Sequence, residues 1–542
     1  MDKKSAIAPC AVKKYKVMKS DKLGRYLVAS KDLAAGELIF REEAVAVGPG
    51  IGEPGAFCFG CLRPLTQHRQ ARRYSCTKCT VAPLCNRACE VYTFHNMGGL
   101  HSGAECDFFR DNKEVCSELV DEVTRVLLHL RLWLLKSSDE ESSSWKEIER
   151  MEAHLEQRRG TDVWREREEQ VVDVFRKLGL HHPKTTSDED DLVQRICGIV
   201  DVNTFEVRVP GLYSNGSGGA PLRGLFVEAA LMAHECRPTA HVSVDESFNM
   251  SVHAALAVPA DGIISFNYTS SLLGTIDRQE HLQIGKYFRC DCAVCTDPLE
   301  SGSHLSCLLC PRCKVGPVAP PRIGKTISNP YSREARWQCQ ECKHQLSGCL
   351  VASSLGIARG LVDEVDELGS FKAMENLLAK LVLSFHGNHY LVMALKNKML
   401  GACRREIGSV NPQKKLLGRM VQLGREVLAV LEIVEPGLSR LKGIVLYELH
   451  LPMTILANRA YAAREITAPE LVSRLEEARD LLRRALGMLL LEPVMTPEGQ
   501  LARRALREMK VLARSVEDAR ALADGPKISL RRRGSFKHCG RS

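Results

Sequence analysis

The stretch CFGCLRPLTQHRQARRYSCTKCTVAPLCNRACEVYTFHNMGGLHSGAEC, residues 58–106, decides how this part of the chain folds. It contains eight candidate metal ligands at short spacings: Cys58, Cys61, Cys76, Cys79, Cys85, Cys89, His101 and Cys106. Two thiolates on one tight turn can hold one side of a metal ion, and eight such ligands suffice for two tetrahedral zinc ions. So short a segment buries little core, so we expect the metal to supply its folding energy.

Two alternatives stay open within this segment. His95 competes with His101 as the histidine ligand, although His101 lies nearer in sequence to Cys106. A set of buried free cysteines is the other interpretation, and the regular Cys-x2-Cys spacing speaks against it.

The remaining cysteines extend the pattern. Of 22 cysteines, fifteen lie in three clusters and seven are scattered: Cys10, Cys116, Cys197, Cys307, Cys349, Cys403 and Cys539. Residues 1–22 are polar and lysine-rich without an apolar signal segment, and no apolar run is long enough to span a bilayer. We therefore expect an intracellular protein of the cytoplasm, the nucleus or both, where clustered cysteines indicate metal rather than disulfides.

The second and third clusters each predict one zinc site. FRCDCAVC supplies Cys290, Cys292 and Cys295, and Cys236 is the natural fourth ligand, tying the chain after the core back onto it. Cys310-x2-Cys313 and Cys339-x2-Cys342, 25 residues apart, suit a zinc ribbon, with Cys307 as an alternative to Cys310. Four protein ligands leave no open position for chemistry, so the ribbon is expected to be structural.

Length and composition indicate a globular multidomain protein. The 542 residues correspond to three or four domains of roughly 100–200 residues each. Hydrophobic residues make up 44%, and the net charge of +9 permits contact with nucleic acid without requiring it.

The secondary-structure pattern changes along the chain. Residues 145–178 are charged and helical, whereas 194–288 carry short β-rich runs such as HVSV and GIISFNY. From about 348 onward the chain is helical. One apolar stripe comprises Leu471, Leu475, Ala478, Leu482, Leu486 and Leu489, which indicates stacked antiparallel helices. In the basic tail, RRRGS offers Ser535 to a basophilic kinase, although a solubilising tail explains the same residues.

The order of ligands in 58–106 resembles a MYND finger, and the flanking sequence resembles a SET methyltransferase core that this finger interrupts. The matching segments are GRYLVASKDLAAGELIF (24–40), GIVDVNTFEV (198–207), GLFVEAALMAHECRPT (224–239), FNYT (266–269) and FRCDCAVC (288–295). They stand in the order of the SET and MYND domain (SMYD) protein-lysine methyltransferase family. The Cys-x2-Cys pairs that follow the post-SET cysteines resemble its insect-expanded branch.

The resemblance implies an α+β multidomain fold: a SET β-fold core with an inserted MYND zinc finger, a post-SET zinc site and an all-α, TPR-like C-terminal domain. The expected segments are an N-terminal SET lobe (1–57), the MYND finger (58–106), a helical linker or insert (107–193), the core SET region (194–289), the post-SET site and zinc ribbon (290–346), the helical C-terminal domain (347–525) and a basic disordered tail (526–542). It also implies that the finger's ligands alternate, with Cys58, Cys61, Cys85 and Cys89 on one zinc and Cys76, Cys79, His101 and Cys106 on the other.

The implied activity is methyl transfer from S-adenosylmethionine to a lysine amine of a histone or non-histone protein, with about four zinc ions as structural cofactors. Tyr268 is the implied catalytic residue. The implied cofactor-binding residues are Gly24, Arg25, Tyr26, Asn203, Ala233, His234 and Phe288. The implied partners are a lysine-bearing protein substrate and proline-containing peptides bound by the MYND finger. We expect a monomer, with no membrane partner and no primary nucleic-acid role.

Several positions depart from the family pattern. Ala233 replaces an asparagine that contacts the cofactor, ADGIIS and RPT replace GEE- and DPN-type motifs, and Glu90 with Phe94 replaces the finger's usual Gln and Trp. A lost hydrogen bond to a charged group costs about 1.5–3 kcal/mol. The alternative is therefore a catalytically weak or inactive SET-MYND scaffold that recruits partners through the finger. Nucleic-acid binding ranks last, because the clusters lack the base-reading spacing of C2H2 fingers.

Overall fold

The computed structural model describes residues 13–52, 56–65, 74–94, 100–138, 143–180, 187–208, 222–322, 329–365, 370–407 and 412–524. His95, Cys10, Cys539 and the basic tail with Ser535 lie outside these residues, so the interpretations that rest on them stay predictions.

The chain begins with four short strands: β1 (Tyr15–Ser20), β2 (Gly24–Ala29), β3 (Leu38–Glu43) and β4 (Ala46–Pro49). β1 and β2 form a hairpin in which Tyr15 lies opposite Ala29. Gly24 opens β2 with a φ of +66°, a conformation that residues with a Cβ rarely adopt. The cysteine-rich segment that follows contributes two helices, α1 (Arg87–Phe94) and α2 (Gly103–Asp111).

A helical insert comes next. It contains α3 (Lys113–Glu118), α4 (Val120–Arg125), α5 (Leu127–Ser138), α6 (Ser143–Glu149), α7 (Leu155–Arg158), α8 (Asp162–Arg167), a π-helical turn (Glu168–Val172), α9 (Asp173–Lys177) and α10 (Ser187–Asn203). The sequence places the β-rich region from 194 onward, but the strands begin only after α10. The reason is that Ile196, Ile199 and Val200 are spaced as one helical face and are buried against α5 and α6.

The β core is completed by β5 (Thr204–Val207), β6 (Leu222–Leu225), β7 (Ala233–His234), β8 (Ala240–Val244), β9 (Asn249–Ala254) and β10 (Ile263–Phe266), with a 3-10 turn at Ala229–Leu231. These strands form three small sheets with the orders β1-β2-β10-β7, β3-β9-β8 and β4-β6-β5. β7 and β10 pair in parallel, with Phe266 opposite His234. This pairing brings the segment after β10 next to the segment that carries His234 and Cys236.

A second, smaller β unit follows the core. It is preceded by α11 (Thr275–Lys286), α12 (Ala293–Thr296) and a 3-10 turn (Glu300–Gly302), and consists of β11 (Leu308–Leu309), β12 (Pro317–Ala319), β13 (Arg336–Cys339) and β14 (Gln345–Ser347). The four strands form one antiparallel sheet in sequence order. Trp337 is buried with Leu308 and Val318, so this ribbon shares a core with the helices that follow it.

The C-terminal region is helical: α13 (Gly348–Glu364), α14 (Phe371–Leu381), α15 (Tyr390–Ile407), α16 (Lys414–Val434), α17 (Arg440–Ala462), α18 (Ala468–Leu489) and α19 (Pro497–Asp524). The predicted stripe on α18 is buried throughout, and short connections make α17, α18 and α19 antiparallel neighbours. No helix among the described residues is both long and apolar enough to cross a bilayer. The prediction of an α+β multidomain fold with a helical C-terminal domain is confirmed.

The helical domain is fixed to the β core by buried polar contacts of Glu492. Glu492, after α18, accepts from His241 Nε2 at 2.9 Å and lies 2.9 Å from Arg440 Nε. Arg440 also donates to the main-chain oxygen of Val242 at 3.3 Å. The two domains therefore share one wall of the cleft described below.

Candidate functional site

The structure brings the sixteen predicted metal ligands together in four groups of four, and within each group all ligand atoms lie within 4.8 Å of one another. The groups are Cys58, Cys61, Cys85 and Cys89; Cys76, Cys79, His101 and Cys106; Cys236, Cys290, Cys292 and Cys295; and Cys310, Cys313, Cys339 and Cys342. The two groups in the finger alternate along the chain: the first group uses the first and third ligand pairs, and the second group uses the second and fourth.

The distances within the groups fit tetrahedral zinc. A Zn–S bond of about 2.3 Å requires an Sγ–Sγ separation of about 3.8 Å along each edge of the tetrahedron. The Sγ atoms of Cys58 and Cys89 are 3.5 Å apart, and those of Cys313 and Cys339 are 3.8 Å apart. These values are far above the ~2.05 Å of a disulfide. Four zinc ions therefore fit the four groups.

The backbone of the Cys-x2-Cys turns is also specialised. The residue after the second cysteine has a left-handed φ between +54° and +61° in four of the five turns: Leu62, Thr80, Lys314 and Lys343. The fifth turn, Cys292-x2-Cys295, instead runs into α12. Non-glycine residues rarely adopt the left-handed conformation unless the surrounding structure holds them there. The turn directs amide groups at sulfur, since the amide of Gly316 donates to Cys313 Sγ at 3.3 Å. A hydrogen bond from an amide to sulfur favours the thiolate form that zinc requires.

Two residues that the sequence did not single out fix the histidine ligand. His101 Nε2 lies 3.7 Å from Cys79 Sγ, and His101 Nδ1 lies 2.7 Å from a carboxylate oxygen of Glu105, four residues later. Glu105 in turn accepts from Arg131 Nε at 2.7 Å. A carboxylate on the second ring nitrogen sets the tautomer and orientation of a zinc-bound histidine. The i, i+4 spacing of His101, which precedes α2, and Glu105 in the first turn of α2 is the signal that could have found this pair.

Two further sequence alternatives can be compared with the structure. Cys307 is buried with its Sγ 3.8 Å from the main-chain oxygen of Pro298 and does not join the ribbon ligands. Glu90 is buried within the finger, where its carboxylate accepts from the Thr77 hydroxyl at 2.7 Å and from the Tyr74 hydroxyl. The side chain at the position of the family's glutamine is thus engaged internally.

The third metal group supports the candidate catalytic residue. Cys236 Sγ lies 3.5 Å from Cys295 Sγ and 4.0 Å from Cys290 Sγ, which joins the segment after β7 to the segment after α11. Tyr268 and Phe288 pack directly against this group. Loss of this zinc would therefore release two of the aromatic side chains that form the neighbouring cleft.

The cleft has a volume of about 1520 Å³ and runs from the β1–β2 turn to the helical domain. Seven of the eight candidate catalytic and cofactor residues line it: Gly24, Arg25, Asn203, Ala233, His234, Tyr268 and Phe288. Tyr26 does not line the cleft, because alternation along β2 turns its side chain away from its neighbour Arg25.

Tyr268 is held in place on three sides. Its hydroxyl donates to the main-chain oxygen of Met232, and its amide donates to His234 Nδ1 at 3.1 Å. The Phe288 ring stands edge-on to it at 6.5 Å. Burial raises the pKa of Tyr268 to about 12 and lowers the pKa of His234 to about 4. The tyrosine is therefore a neutral phenol whose oxygen can still accept one hydrogen bond.

The other wall of the cleft is formed by backbone and amide groups. Asn203 ends α10 and donates its side-chain amide to the main-chain oxygen of Glu152 at 2.9 Å. Arg25 donates to the main-chain oxygen of Arg150 at 2.9 Å. Ala233 contributes only a methyl group at the position where the family carries an asparagine. Lys286, the last residue of α11, also lines the cleft, although no sequence motif marks it.

Comparison with known proteins agrees with this architecture. No protein-family model matches the chain. The chain is similar to the Drosophila melanogaster SET domain-containing protein SmydA-8, isoform A, with 28% identity over 434 residues that cover 79% of this chain and 86% of the relative.

Vertebrate relatives match shorter regions. The Danio rerio N-lysine methyltransferase SMYD2-B is 29% identical over 274 residues, or 50% of this chain and 58% of the relative. The Mus musculus histone-lysine N-methyltransferase Smyd1 is 22% identical over 381 residues, or 66% of this chain and 73% of the relative. Together with the alternating metal groups and the cleft, these likenesses support the SET and MYND domain (SMYD) family, with an insect branch among the relatives.

Proposed function

We propose that this protein is a protein-lysine N-methyltransferase that uses S-adenosylmethionine and acts on a histone or non-histone protein. The observation that carries the proposal is the position of Tyr268. Tyr268 lines a cleft that six of the seven candidate cofactor residues also line. Relatives named as lysine methyltransferases support the same reaction class.

The cofactor, when bound, supplies an electrophilic methyl group on a sulfonium. The protein's own contribution is to position the lysine amine and to exclude water. The Tyr268 hydroxyl donates its hydrogen bond to the main-chain oxygen of Met232. The lone pairs of the hydroxyl oxygen are therefore free to accept a hydrogen bond from the substrate amine. Gly24, Arg25 and Asn203 would hold the cofactor on the opposite wall.

The protein substrate would enter between the two domains. At the far end of the cleft the lining passes from Val242 and Ser243 of the β core to Arg440 and Glu492 of the helical domain. Such a groove can take an extended peptide on its way to Tyr268. The cleft volume of about 1520 Å³ and its lining by both domains thus favour a protein substrate over a free amino acid.

The test is the transfer of labelled methyl groups to a protein panel by Tyr268→Phe, with Tyr390→Phe as a control. The Tyr390 hydroxyl accepts from Arg359 in the helical domain, so its loss removes a similar hydrogen bond elsewhere. We expect Tyr268→Phe to lose at least tenfold in transfer rate while retaining a heat shift with S-adenosylmethionine. Wild-type protein that neither shifts with the cofactor nor transfers methyl would refute the proposal.

A non-catalytic scaffold is the second candidate, and Ala233 favours it. A methyl group at this position cannot make the hydrogen bonds of an asparagine, so cofactor affinity is expected to be reduced about tenfold or more. Titration of wild type and Ala233→Asn with the cofactor separates the two functions. Binding that appears only in Ala233→Asn indicates a decayed site, whereas binding by both variants supports the enzyme.

A further inference from the structure

Lys286 places its amine inside the part of the cleft assigned to the cofactor. Its Nζ donates to the main-chain oxygen of Val202 and lies 3.5 Å from that of Asp201, the two residues before Asn203. The same atom lies 5.7 Å from the centroid of the Tyr268 ring. Two residues later in sequence, Phe288 lines the same wall. The ammonium therefore stands between the candidate cofactor residues and the candidate catalytic tyrosine.

No carboxylate of the described part of the chain forms an ion pair with Lys286. The carboxylate of Asp201 on α10, which acts electrostatically on Lys286, is held by Arg158 Nη2 at 2.8 Å and by Arg167 Nε at 3.0 Å. The other charged or titratable groups facing Lys286 among the described residues are Arg223 on β6, His154 before α7 and the Tyr268 phenol.

Charge therefore remains on Lys286 at neutral pH. Burial and the Arg223 guanidinium lower the pKa of Lys286 to about 8, so the amine is mostly protonated at pH 7. The Asp201 carboxylate raises the pKa of Lys286, but its effect is smaller than those of burial and Arg223. The charge is present below pH 8 and is lost as the pH rises above it.

We propose that Lys286 makes the cofactor site discriminate against the cationic sulfonium of S-adenosylmethionine and in favour of the neutral thioether of S-adenosylhomocysteine. The proposal rests on the proposed function, because it assumes that this cleft binds the cofactor. Two like charges in a partly buried site repel each other appreciably, whereas a neutral sulfur is unaffected. Product would then remain bound after each transfer, and turnover would be limited by its release.

A purely structural role for Lys286 makes a different prediction. Its ammonium caps carbonyl groups at the C-terminal end of α10, which stabilises a helix regardless of any ligand. Lys398 does the same in the helical domain, where its Nζ donates to the oxygens of Val362 and Val365 at 2.7 and 2.9 Å near the end of α13. Lys398→Met is therefore a matched control that removes a helix-capping ammonium far from the cleft.

The experiment is calorimetric titration of wild type, Lys286→Met and Lys398→Met with S-adenosylmethionine and with S-adenosylhomocysteine at pH 7. The ratio of the two dissociation constants is compared, because the amino-acid and adenosine parts of the ligands are shared. We expect Lys286→Met to improve the relative affinity for S-adenosylmethionine by about tenfold, and Lys398→Met to leave the ratio unchanged.

Three results decide the matter. A ratio in Lys286→Met within twofold of wild type would overturn the discrimination while leaving the proposed function intact. Binding of neither ligand to any of the three proteins would overturn both. A shift in the ratio that disappears when the titrations are repeated at pH 9 supports the assignment of the effect to the Lys286 charge.

Discussion

Replacing Arg131 with methionine is expected to destabilise the junction between the finger and the core. Arg131 on α5 lies 2.7 Å from Glu105 and donates to the main-chain oxygens of Val47 at 2.6 Å and Phe59 at 2.8 Å. Val47 belongs to the β core and Phe59 to the finger. The Arg131 side chain therefore joins the β core to the finger, and through Glu105 it also supports the metal ligand His101.

The magnitude follows from burial. The side chains of Arg131 and Glu105 are 8% and 1% exposed, so removal of the arginine leaves a carboxylate inside the protein without its partner. Breaking such a pair costs about 3–5 kcal/mol in the free energy of unfolding. Methionine retains most of the apolar volume, so the loss reports on the charge and the hydrogen bonds rather than on a cavity.

Arg110→Met provides the matched control. Arg110 lies 2.6 Å from Asp107, but the two side chains are 52% and 61% exposed, and such surface pairs contribute about 0–1 kcal/mol. The assay is urea unfolding of both variants, followed by zinc transfer to a colorimetric chelator. Because Glu105 orients His101, we expect Arg131→Met to release one zinc about 10–100-fold more readily. Equal unfolding free energies for the two variants, or unchanged zinc release, would refute the reasoning.

Two further predictions concern the insert and the ribbon. Asp201→Asn leaves the buried Arg158 guanidinium without its carboxylate and should cost about 3 kcal/mol at pH 7. Burial alone would raise the pKa of Asp201, but its arginine partners outweigh burial and lower it. The stability that the Asp201 carboxylate contributes is therefore present above about pH 4 and is lost on further acidification. The melting temperatures of wild type and variant should accordingly converge at low pH. Gly316→Ala would place a Cβ 2.5 Å from Cys339 Sγ, so we expect this variant to release the ribbon zinc. Gly356→Ala in α13 is the control, because the added Cβ meets no atom within 4 Å, and we expect it to retain the zinc. Zinc content and melting temperature measure both effects.

Much of the metal architecture could be predicted from the sequence, because zinc ligands are few in type and act at short, recognisable spacings. The alternation of the two finger sites required the family resemblance, since spacing alone does not say which pair joins which. The helical stripe on α18 was equally readable, because Leu471, Leu475 and Leu482 repeat with the helical period and are buried on one face.

Other features depend on contacts between distant segments. Arg131 meets Glu105 across 26 residues, and the carbonyl groups that Lys286 reaches lie more than 80 residues before it. No local pattern marks such partners. The start of the β-rich region was misplaced for a related reason, since an apolar run such as that of Ile196, Ile199 and Val200 suits either a strand or a helix until its packing partners are known.

The central claim is that four metal ions hold the finger, the cleft and the ribbon in shape. Elemental analysis of purified protein, combined with circular dichroism of the same sample, tests it most directly. We predict four zinc atoms per chain, with loss of folded structure when a strong chelator removes them. A chain that carries two or fewer zinc atoms and keeps its full ellipticity and melting transition would contradict the account.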